Sequence, residues 1–332
     1  MGDRPETGGW GADDIGDLSG RTAVVTGANS GIGERTALEL AVHGAHVVLA
    51  CRDQAKAQRA ADRIVGIAPD ASVEVVRCDL ASQDSVRAAA ADVRRRHDRL
   101  DLLVNNAGVM ASPFAVTEDG FEAQFATDHL GPFALTGLLL DLLVTTMGAR
   151  VVTVSSAAHR LGDLALSDAE AVQGLTGGHH RWLAYANAKL ANLLFTFELD
   201  RRLQAAGLAT IAAAVHPGLV RTQLVANGAA RGGPALRTRM VRLGGRLGRS
   251  PAAGALPTLY AATAPGVSGG SYFDPASLGA WPGPPTPARS SRRSRRGQDA
   301  ARLWALSEEL TGVVYALGGP TAGAGAPDGS GR

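Results

Sequence analysis

Short runs of apolar and β-branched residues alternate with longer segments of helical periodicity along most of the chain. Most of the short runs are apolar along nearly their whole length, as strands buried on both faces of a sheet must be. Strands and helices alternating at this spacing favour parallel pairing through right-handed crossovers. The pattern predicts an α/β fold, a doubly wound parallel sheet with helices on both faces. The six predicted strands are Thr22 to Thr26, His46 to Ala50, Val73 to Arg77, Leu100 to Asn105, Arg150 to Ser155 and Thr210 to His216.

The same pattern predicts where the domain begins and ends. No linker rich in proline and glycine interrupts the chain between Arg21 and Val215, so we expect a single domain over residues 17–317. Residues 1–16 are rich in glycine and aspartate and are predicted to form a flexible extension, and the Gly/Pro/Ala-rich residues 318–332 a disordered tail. Within the domain, residues 219–250 are predicted to form a substrate lid, with a basic amphipathic helix on a membrane as the alternative.

Composition restricts the partners and the compartment. Lysine and arginine number 33 against 31 acidic residues, a net charge of +2, which is too balanced for a nucleic-acid surface and favours a small-molecule partner. Two cysteines, Cys51 and Cys78, are too few for a disulfide framework. Neither a signal peptide nor a run long enough to span a bilayer is evident. We therefore expect a cytoplasmic protein without membrane contact, and the sequence leaves a homo-oligomer open.

A glycine-rich turn follows the first predicted strand and precedes a helix expected to start near Glu34. Glycine lets the backbone turn tightly and approach a pyrophosphate, whose charge is held by the N–H groups of a helix N-terminus. Glycine is abundant in this chain, but the strand-turn-helix placement is typical of a dinucleotide site on a Rossmann-type fold. The residues predicted to hold the dinucleotide are Gly27, Asn29, Ser30, Gly31, Ile32 and Gly33.

The ends of the second and third predicted strands indicate which dinucleotide is bound. Arg52 lies just after the second predicted strand, in the sequence Ala50-Cys51-Arg52, where an NAD-specific protein would offer a carboxylate to the ribose 2′-hydroxyl. Arg52 can instead pair with a 2′-phosphate, which favours NADP(H) over NAD(H). In the alternative interpretation Arg52 is a solvated loop residue and Asp53 serves the ribose. Asp79 lies just after the third predicted strand and is predicted to lie near the adenine or, alternatively, to cap the next helix.

Tyr185 and Lys189 open a predicted helix after the fifth strand. They are four residues apart and therefore share one helical face. A phenol with a pKa of about 10 is a poor base near neutral pH, but an adjacent ammonium favours the phenolate. Lysine occurs in this chain only at Lys56 and Lys189, so its presence beside a tyrosine predicts acid/base chemistry. The alternative is a chance pair on a surface helix.

Together these residues resemble the short-chain dehydrogenase/reductase family, in particular its retinol-dehydrogenase-like or protochlorophyllide-reductase-like branch. The resemblance covers roughly Trp10 to Gly312. It is carried by the turn at Thr26 to Gly33, Cys51-Arg52, Asp79-Leu80, Asn105 to Gly108, Ser155 to His159, Tyr185 with Lys189, and His216-Pro217-Gly218.

The resemblance implies a role for each of these positions. Tyr185 would be the general acid/base, Ser156 rather than Ser155 would hold the substrate oxygen, and Lys189 would bind the nicotinamide ribose and lower the Tyr185 pKa. The further positions implied to contact the cofactor are Asp79, Leu80, Asn106, Ala107, Gly108, Pro217, Gly218 and Thr222.

One position departs from the family pattern. Asp128 stands where the family normally has asparagine, the fourth member of the catalytic group, which is thought to hold a water in the proton relay. We predict that Asp128 lies near Lys189; the alternative is that it faces away and hydrates or caps its own helix. His129 and His159 flank the motifs, but no ligand spacing accompanies them, so no metal site is predicted.

The resemblance therefore implies an NADP-preferring oxidoreductase that transfers hydride between nicotinamide and an apolar alcohol or carbonyl substrate. The alternative is a catalytically weak protein of the same fold that senses NADP(H) or binds a partner, with Asp128 marking the loss of the proton relay.

Overall fold

The strands form one mixed sheet. A computed structural model describes residues 9–164, 166, 180–220, 249–275 and 284–317. Its strands are β1 (Thr22–Thr26), β2 (His46–Cys51), β3 (Val73–Arg77), β4 (Leu102–Asn105), β5 (Arg150–Val154), β6 (Ile211–Val215), β7 (Tyr272–Pro275) and β8 (Pro285–Pro287). Their order across the sheet is β3-β2-β1-β4-β5-β6-β7-β8. Neighbours from β3 to β7 pair in parallel, and β8 pairs antiparallel with β7 at the edge.

Helices cover both faces of the sheet because alternate strand residues point to opposite sides. In β1, Ala23 and Val25 pack with one apolar layer and Val24 with the other. Helices α1, α2 and α8 cover the first layer, and α3, α5, α6, α7 and α9 cover the second. The helices are α1 (Gly31–Val42), α2 (Gln54–Ile67), α3 (Gln83–Arg96), α4 (Ala123–Phe125), α5 (Gly131–Leu138), α6 (Leu140–Thr145), α7 (Arg181–Ala205), α8 (Pro251–Thr263) and α9 (Gly297–Thr311).

These observations confirm the predicted fold class. All six predicted strands are present, with bounds that differ by two residues or fewer. Helix α1 begins at Gly31, earlier than the predicted start near Glu34. The antiparallel edge strand β8 was not predicted, because it is short and begins and ends with proline, a residue confined to sheet edges.

The second half of the predicted flexible extension, residues 9–16, packs on the sheet and its helices. Trp10 packs edge to face on Tyr260 of α8 with ring centroids 5.1 Å apart, and Ile15 is buried in the core. A short 3₁₀ helix, Ala12–Asp14, connects them. Residues 9–16 are therefore part of the domain, because these two apolar side chains complete the layer over α8.

Several sequence predictions lie outside the described residues. These are the first half of the extension, most of the lid predicted over residues 219–250, Thr222, and the tail over residues 318–332. Among the described helices, none combines the length and the apolar character needed to cross a membrane.

Candidate active site and cofactor cleft

The predicted cofactor and catalytic residues lie along the carboxyl ends of the parallel strands. From β1 the next strands in sequence, β2 and β3, are added on one side of the sheet, and from β4 the next strands, β5 to β7, are added on the other side. The order therefore reverses between β1 and β4, and a ligand crevice opens at such a switch point. The glycine-rich turn follows β1, and Asn106, Ala107 and Gly108 follow β4, so the two predicted segments meet at this crevice.

Two glycines of the turn are required by close contacts. Gly27 has φ +66, and a Cβ there would lie 2.9 Å from the Cα of Ala107. A Cβ on Gly33 would lie 2.4 Å from Asn106 Nδ2 and 2.5 Å from the backbone oxygen of Gly27. Because the Gly27 contact is with backbone, a side chain at Gly33 would push the turn and the helix apart. The turn therefore holds its shape only with glycine at both positions.

The amino end of α1 is free to receive an anion. Ser30 is its N-cap residue, and the Ser30 side chain makes no capping hydrogen bond. The first N–H groups of a helix have no partner within the helix, and they carry the positive end of its dipole. A phosphate is the kind of group that this end binds. Ile32 packs instead toward Gly254 of α8, and Asn29 is half-buried beside the turn.

Asn106 and Thr26 join the turn to the loop after β4. The Asn106 amide donates to the Thr26 backbone oxygen at 2.8 Å. The Thr26 hydroxyl accepts from the N–H groups of Asn106 and Ala107, each at 3.0 Å, and donates to the oxygen of Val104 at 3.3 Å. Sequence reasoning missed this role of Thr26. A buried threonine at a strand end beside an asparagine loop is the signal that indicates it.

At the next strand end, Arg52 projects into solvent with 71% of its side chain exposed, and its Nε lies 3.9 Å from Asp79 Oδ2. Asp53 is the N-cap of α2: its carboxylate accepts from the Lys56 N–H at 3.0 Å and lies 3.2 Å from Lys56 Nζ. Asp53 is therefore engaged within α2, whereas Arg52 can turn toward a ligand. This geometry favours Arg52 over the alternative in which Asp53 serves the ribose.

One alternative predicted that Asp79 caps the next helix, α3, but the structure gives this cap to another residue. Ser82 is the N-cap of α3 and accepts from the Ser85 N–H, while the Asp79 carboxylate accepts from the Ala81 N–H at 3.1 Å. Asp79 thus orders its own turn and stays partly exposed beside Arg52. Leu80 is buried in the core, so only its backbone can face a cofactor.

Ser155 and Ser156 differ in what their hydroxyl groups contact. Ser155 is buried, and its hydroxyl donates to the backbone oxygen of Lys189 at 2.8 Å, which fixes α7 against the end of β5. Ser156 caps the short helix Ala157–Leu161, where its hydroxyl accepts from the Ala158 N–H at 3.2 Å, and the same hydroxyl is close enough to Tyr185 to lower the pKa of the phenol. Ser156 is therefore the serine that faces the phenol.

Tyr185 and Lys189 lie on one face of α7, as their spacing predicts. Lys189 Nζ is 5.5 Å from the centre of the Tyr185 ring, and both side chains are buried. Burial raises the pKa of Tyr185 above its ordinary value, while the Lys189 ammonium and the Ser156 hydroxyl lower it in part. The Asp128 carboxylate adds to the increase. The phenol is thus protonated at neutral pH in the protein alone.

Asp128 contacts Lys189 directly, and the alternative in which it faces away is wrong. Its Oδ2 lies 3.0 Å from Lys189 Nζ, and the exposed fractions of the two side chains are 0% and 5%. Its Oδ1 accepts from the Val109 N–H at 2.7 Å. A π-helical turn, Ala126–Leu130, carries Asp128 between α4 and α5, and such turns often occur at functional sites.

The buried pair has coupled protonation. Burial is the largest single influence and lowers the pKa of Lys189, but the Asp128 carboxylate and the Tyr185 phenol together outweigh it, so the net pKa of Lys189 is raised. Burial also raises the pKa of Asp128, and Lys189 and the Val109 N–H offset this in part. The pair is ionised at neutral pH, because loss of either charge alone would leave the other charge buried and uncompensated. The Asp128 charge then cancels part of the Lys189 field at Tyr185.

The two histidines near these motifs have structural contacts. His129 is buried among aromatic rings and its Nε2 lies 2.9 Å from the Ser307 hydroxyl; burial lowers the pKa of His129 to about 3. His159 Nδ1 lies 2.6 Å from the Ser156 backbone oxygen, and its Nε2 accepts from the Ser291 N–H. His159 thereby fixes the segment that carries Ser156.

Pro217 and Gly218 follow β6 at the same edge of the sheet. Pro217 is buried, and Gly218 has φ +77, where a Cβ would lie 3.1 Å from Pro275 Cγ and 3.3 Å from Arg249 Cδ. A bridge between Val220 and Arg249 closes this corner. Both predicted residues therefore lie at the carboxyl edge.

Comparison with known proteins gives close relatives over most of the chain. Residues 21–167 match the family model for short chain dehydrogenase. The chain is 40% identical over 298 residues to Retinol dehydrogenase 13 of Homo sapiens, covering 89% of this chain and 86% of that protein. It is 37% identical over 320 residues to Retinol dehydrogenase 14 of Mus musculus, covering 92% and 90%.

Solved structures share the fold. A crystal structure of an uncharacterized protein from Mycobacterium paratuberculosis is 42% identical with a TM-score of 0.74, covering 93% of this chain and 99% of that chain. A Beutenbergia cavernae structure with bound NADP, described as an NAD(P) dependent gluconate 5-dehydrogenase, is 26% identical with a TM-score of 0.60, covering 78% and 96%.

Proposed function

The chain belongs to the short-chain dehydrogenase family, and from that membership we propose that it is an NADP-preferring oxidoreductase of apolar alcohols and carbonyl compounds. As a member of the family it is an NAD(P)-dependent oxidoreductase that acts on CH–OH groups. The observation that supports the proposal most strongly is the group formed by Ser156, Tyr185 and Lys189 beside the glycine-rich turn.

The residues at the carboxyl edge fit a dinucleotide. The close contacts at Gly27 and Gly33 keep the turn free of side chains, and the uncapped amino end of α1 would hold the pyrophosphate. Lys189 would hold the nicotinamide ribose, and the backbone around Gly108 and Gly218 would flank the nicotinamide. When bound, the nicotinamide supplies the donor or acceptor of hydride.

Tyr185 moves the proton in this proposal. During reduction the Tyr185 hydroxyl donates a proton to the carbonyl oxygen, while the Ser156 hydroxyl hydrogen-bonds the same oxygen. During oxidation the phenolate accepts the alcohol proton, which requires loss of the Tyr185 proton first. Lys189 stabilises that phenolate through its charge. Because burial raises the pKa of Tyr185, the protonated phenol that reduction requires is the main form near neutral pH.

Preference for NADP(H) is supported by Arg52. Its guanidinium is exposed at the end of β2 and can form a charge-assisted pair with a 2′-phosphate. The neighbouring carboxylate of Asp53 is held by Lys56, so it is not offered to a ribose hydroxyl. The 26% identical Beutenbergia cavernae structure contains NADP, which agrees with this assignment.

The apolar class of substrate is supported by exposed side chains around the carboxyl edge. Phe114 lies in the loop after β4, Leu183 lies at the start of α7 and Leu219 follows β6; all three are large, apolar and exposed. An apolar substrate would cover such groups and remove them from water. The related Retinol dehydrogenase 13 is named for an apolar alcohol, which fits this surface.

A second candidate function rests on Asp128. If its charge prevents ionisation of Tyr185 altogether, the protein binds NADP(H) without turning over substrate and serves as a sensor or a partner surface. NADPH fluorescence quenching without turnover across a broad panel of alcohols and carbonyl compounds would favour this function. Turnover of any member of the panel would favour the oxidoreductase.

Tyr185→Phe tests the proposed chemistry. Removal of a positioned acid/base is expected to lower kcat about 10²- to 10⁴-fold while NADPH affinity stays nearly unchanged. Tyr260→Phe is the matched control, because Tyr260 lies in α8 and packs on Trp10, away from the proposed active site. This variant should keep wild-type turnover. A Tyr185→Phe variant with near-wild-type turnover would remove Tyr185 from the assigned role.

We also propose a cytoplasmic location. Cys51 and Cys78 are both buried and unpaired, which suits a reducing compartment. Fractionation of cells that make the full chain tests this, and recovery with membranes would contradict it.

A further inference from the structure

Two histidines and one glutamate meet at the amino end of the sheet, at the edge formed by β2 and β3. His46 begins β2, Glu74 lies in β3, and His97 directly follows α3. Val48 is the register partner of Glu74, and His46 lies two residues before Val48, so His46 and Glu74 share one face of the sheet. Helix α3 covers that face, and its C-terminal end brings His97 over the same spot.

The three side chains converge on one point. His97 Nε2 lies 2.6 Å and His46 Nε2 lies 3.7 Å from the same atom, Glu74 Oε1. All three potential ligand atoms lie within 4.8 Å of one another. Ligands about 2.0–2.1 Å from a tetrahedral Zn²⁺ are roughly 3.3 Å apart, so small side-chain adjustments would seat an ion between them.

Neighbouring groups orient two of the three ligands, His46 and Glu74. His46 Nδ1 lies 2.7 Å from the Ser72 hydroxyl, and His46 Nε2 is buried without a hydrogen-bond partner in the described part of the chain. A hydrogen bond at one ring nitrogen fixes the tautomer and leaves the other nitrogen for a metal. Glu74 Oε2 lies 3.2 Å from Arg96, so Oε1 faces the histidines. Arg96 is itself paired with Asp92 at 2.6 Å, which reduces its repulsion of a cation.

We propose that His46, Glu74 and His97 bind a divalent transition-metal ion, with Zn²⁺ as the best fit. Two imidazoles and one carboxylate are ligands that zinc accepts, whereas Ca²⁺ and Mg²⁺ prefer oxygen ligands alone. Each side chain keeps part of its surface exposed, so an ion can enter and water can take the fourth position. The ion would join the edge strand β3 to the end of α3.

The site is separate from the proposed chemistry. β2 runs from His46 to Cys51, and a parallel strand rises about 3.3 Å per residue, so the ion would lie roughly 16 Å from the strand end that precedes Arg52. Metal binding is therefore expected to change stability rather than turnover. No local sequence pattern indicates this metal site, because its ligands come from three separate elements.

The test uses the full chain, free of any histidine tag and stripped of metal with a chelator. Calorimetric titration with ZnCl₂ should show saturable binding of one equivalent, and Zn²⁺ should raise Tm. Ser72→Ala should lower zinc affinity about 10- to 100-fold. His97→Gln and Glu74→Gln, which remove a ligand, should lower the affinity at least as much and abolish the rise in Tm. NADPH affinity should be the same in all variants.

His43→Gln is the matched control. His43 follows α1 and its Nδ1 lies 2.8 Å from the Glu39 backbone oxygen, outside the cluster, so this variant should bind zinc like the wild type. Co²⁺ should give the visible absorption of a four-coordinate site without a thiolate charge-transfer band. No saturable binding, binding that survives both His97→Gln and Glu74→Gln, or a thiolate band from Cys51 or Cys78 would each overturn the proposal.

Discussion

Replacing Asp128 by asparagine is expected to make Tyr185 easier to ionise. The Asp128 carboxylate is 3.0 Å from Lys189 Nζ, and the ammonium is 5.5 Å from the centre of the Tyr185 ring. The carboxylate charge cancels part of the ammonium charge as felt by the phenol and raises the pKa of Tyr185. Asparagine keeps the shape of the side chain, and its Oδ1 can still accept from the Val109 N–H. The change removes the carboxylate charge and replaces the acceptor oxygen beside Lys189 with an amide NH₂ group.

The size of the effect follows from these contacts. They place Asp128 Oδ2 within about 8.5 Å of the Tyr185 ring centre, where two unit charges interact by roughly 2 kcal/mol at an effective dielectric constant of about 20. One pKa unit corresponds to about 1.4 kcal/mol, so removing the charge should lower the pKa of Tyr185 by about one unit. Lys189 loses some of its own stabilisation in the variant, and the two groups titrate together.

The assay is the pH dependence of kcat/KM in both directions. Oxidation requires the phenolate, so Asp128→Asn should move its alkaline rise about one pH unit lower and increase the rate near neutral pH. Reduction requires the protonated phenol and should change less near neutral pH. Asp141→Asn, which removes an exposed carboxylate on α6, is the control and should match the wild type.

Two results would refute this reasoning. Superimposable profiles of the wild type and Asp128→Asn would show that the carboxylate does not act on the phenol. A large loss of activity in both directions, with NADPH affinity unchanged, would show that the negative charge is itself required, for example to hold the Lys189 side chain in place.

Two further predictions concern the cofactor cleft. Arg52→Ala should narrow the preference for NADPH over NADH about tenfold or more, since a hydrogen bond to a charged group contributes roughly 1.5–3 kcal/mol. Titration of NADPH and NADH into the wild type and the variant measures this preference. Arg302→Ala, which removes an exposed arginine on α9, is the control. Equal affinities of the wild type for NADPH and NADH would contradict the prediction. Gly33→Ala should abolish cofactor binding and lower the free energy of unfolding by roughly 1–3 kcal/mol, because its Cβ would overlap Asn106. Gly66→Ala, with open space around it in α2, should instead raise that free energy by about 0.5–1 kcal/mol in denaturant titrations; equal effects of the two changes would refute the steric argument.

Local patterns predicted the elements that position the site. The strand ends at Thr26, Asn105 and Val154 could be read from apolar runs because a strand buried on both faces requires such a run. The spacing of Tyr185 and Lys189 placed them on one face of α7, since helical periodicity is itself a local property. Features of this kind depend on few long-range contacts, so the sequence alone is sufficient for them.

Two side-chain contacts, one local and one long-range, explain what the sequence patterns left open or missed. Asp53 and Arg52 are neighbours in sequence, and only the bonds between Asp53 and Lys56 show which of the two is free to meet a ligand. Trp10 lies in a segment rich in glycine and aspartate, but Tyr260 of α8 holds it. In both cases the deciding contact is made by a side chain that the local composition does not indicate.

The surroundings of Lys189 explain why this arginine-rich chain keeps a lysine there. A Cβ on Gly108 would lie 3.1 Å from Lys189 Nζ and 3.2 Å from each carboxylate oxygen of Asp128. The ammonium is thus enclosed by backbone, carboxylate and phenol, with no space for the wider, planar guanidinium of arginine. The same enclosure makes the Asp128 charge effective, because little water remains to screen it. The tight packing around this one ammonium therefore has three consequences. It requires lysine at position 189, it requires glycine at position 108, and it strengthens the influence of Asp128 on Tyr185.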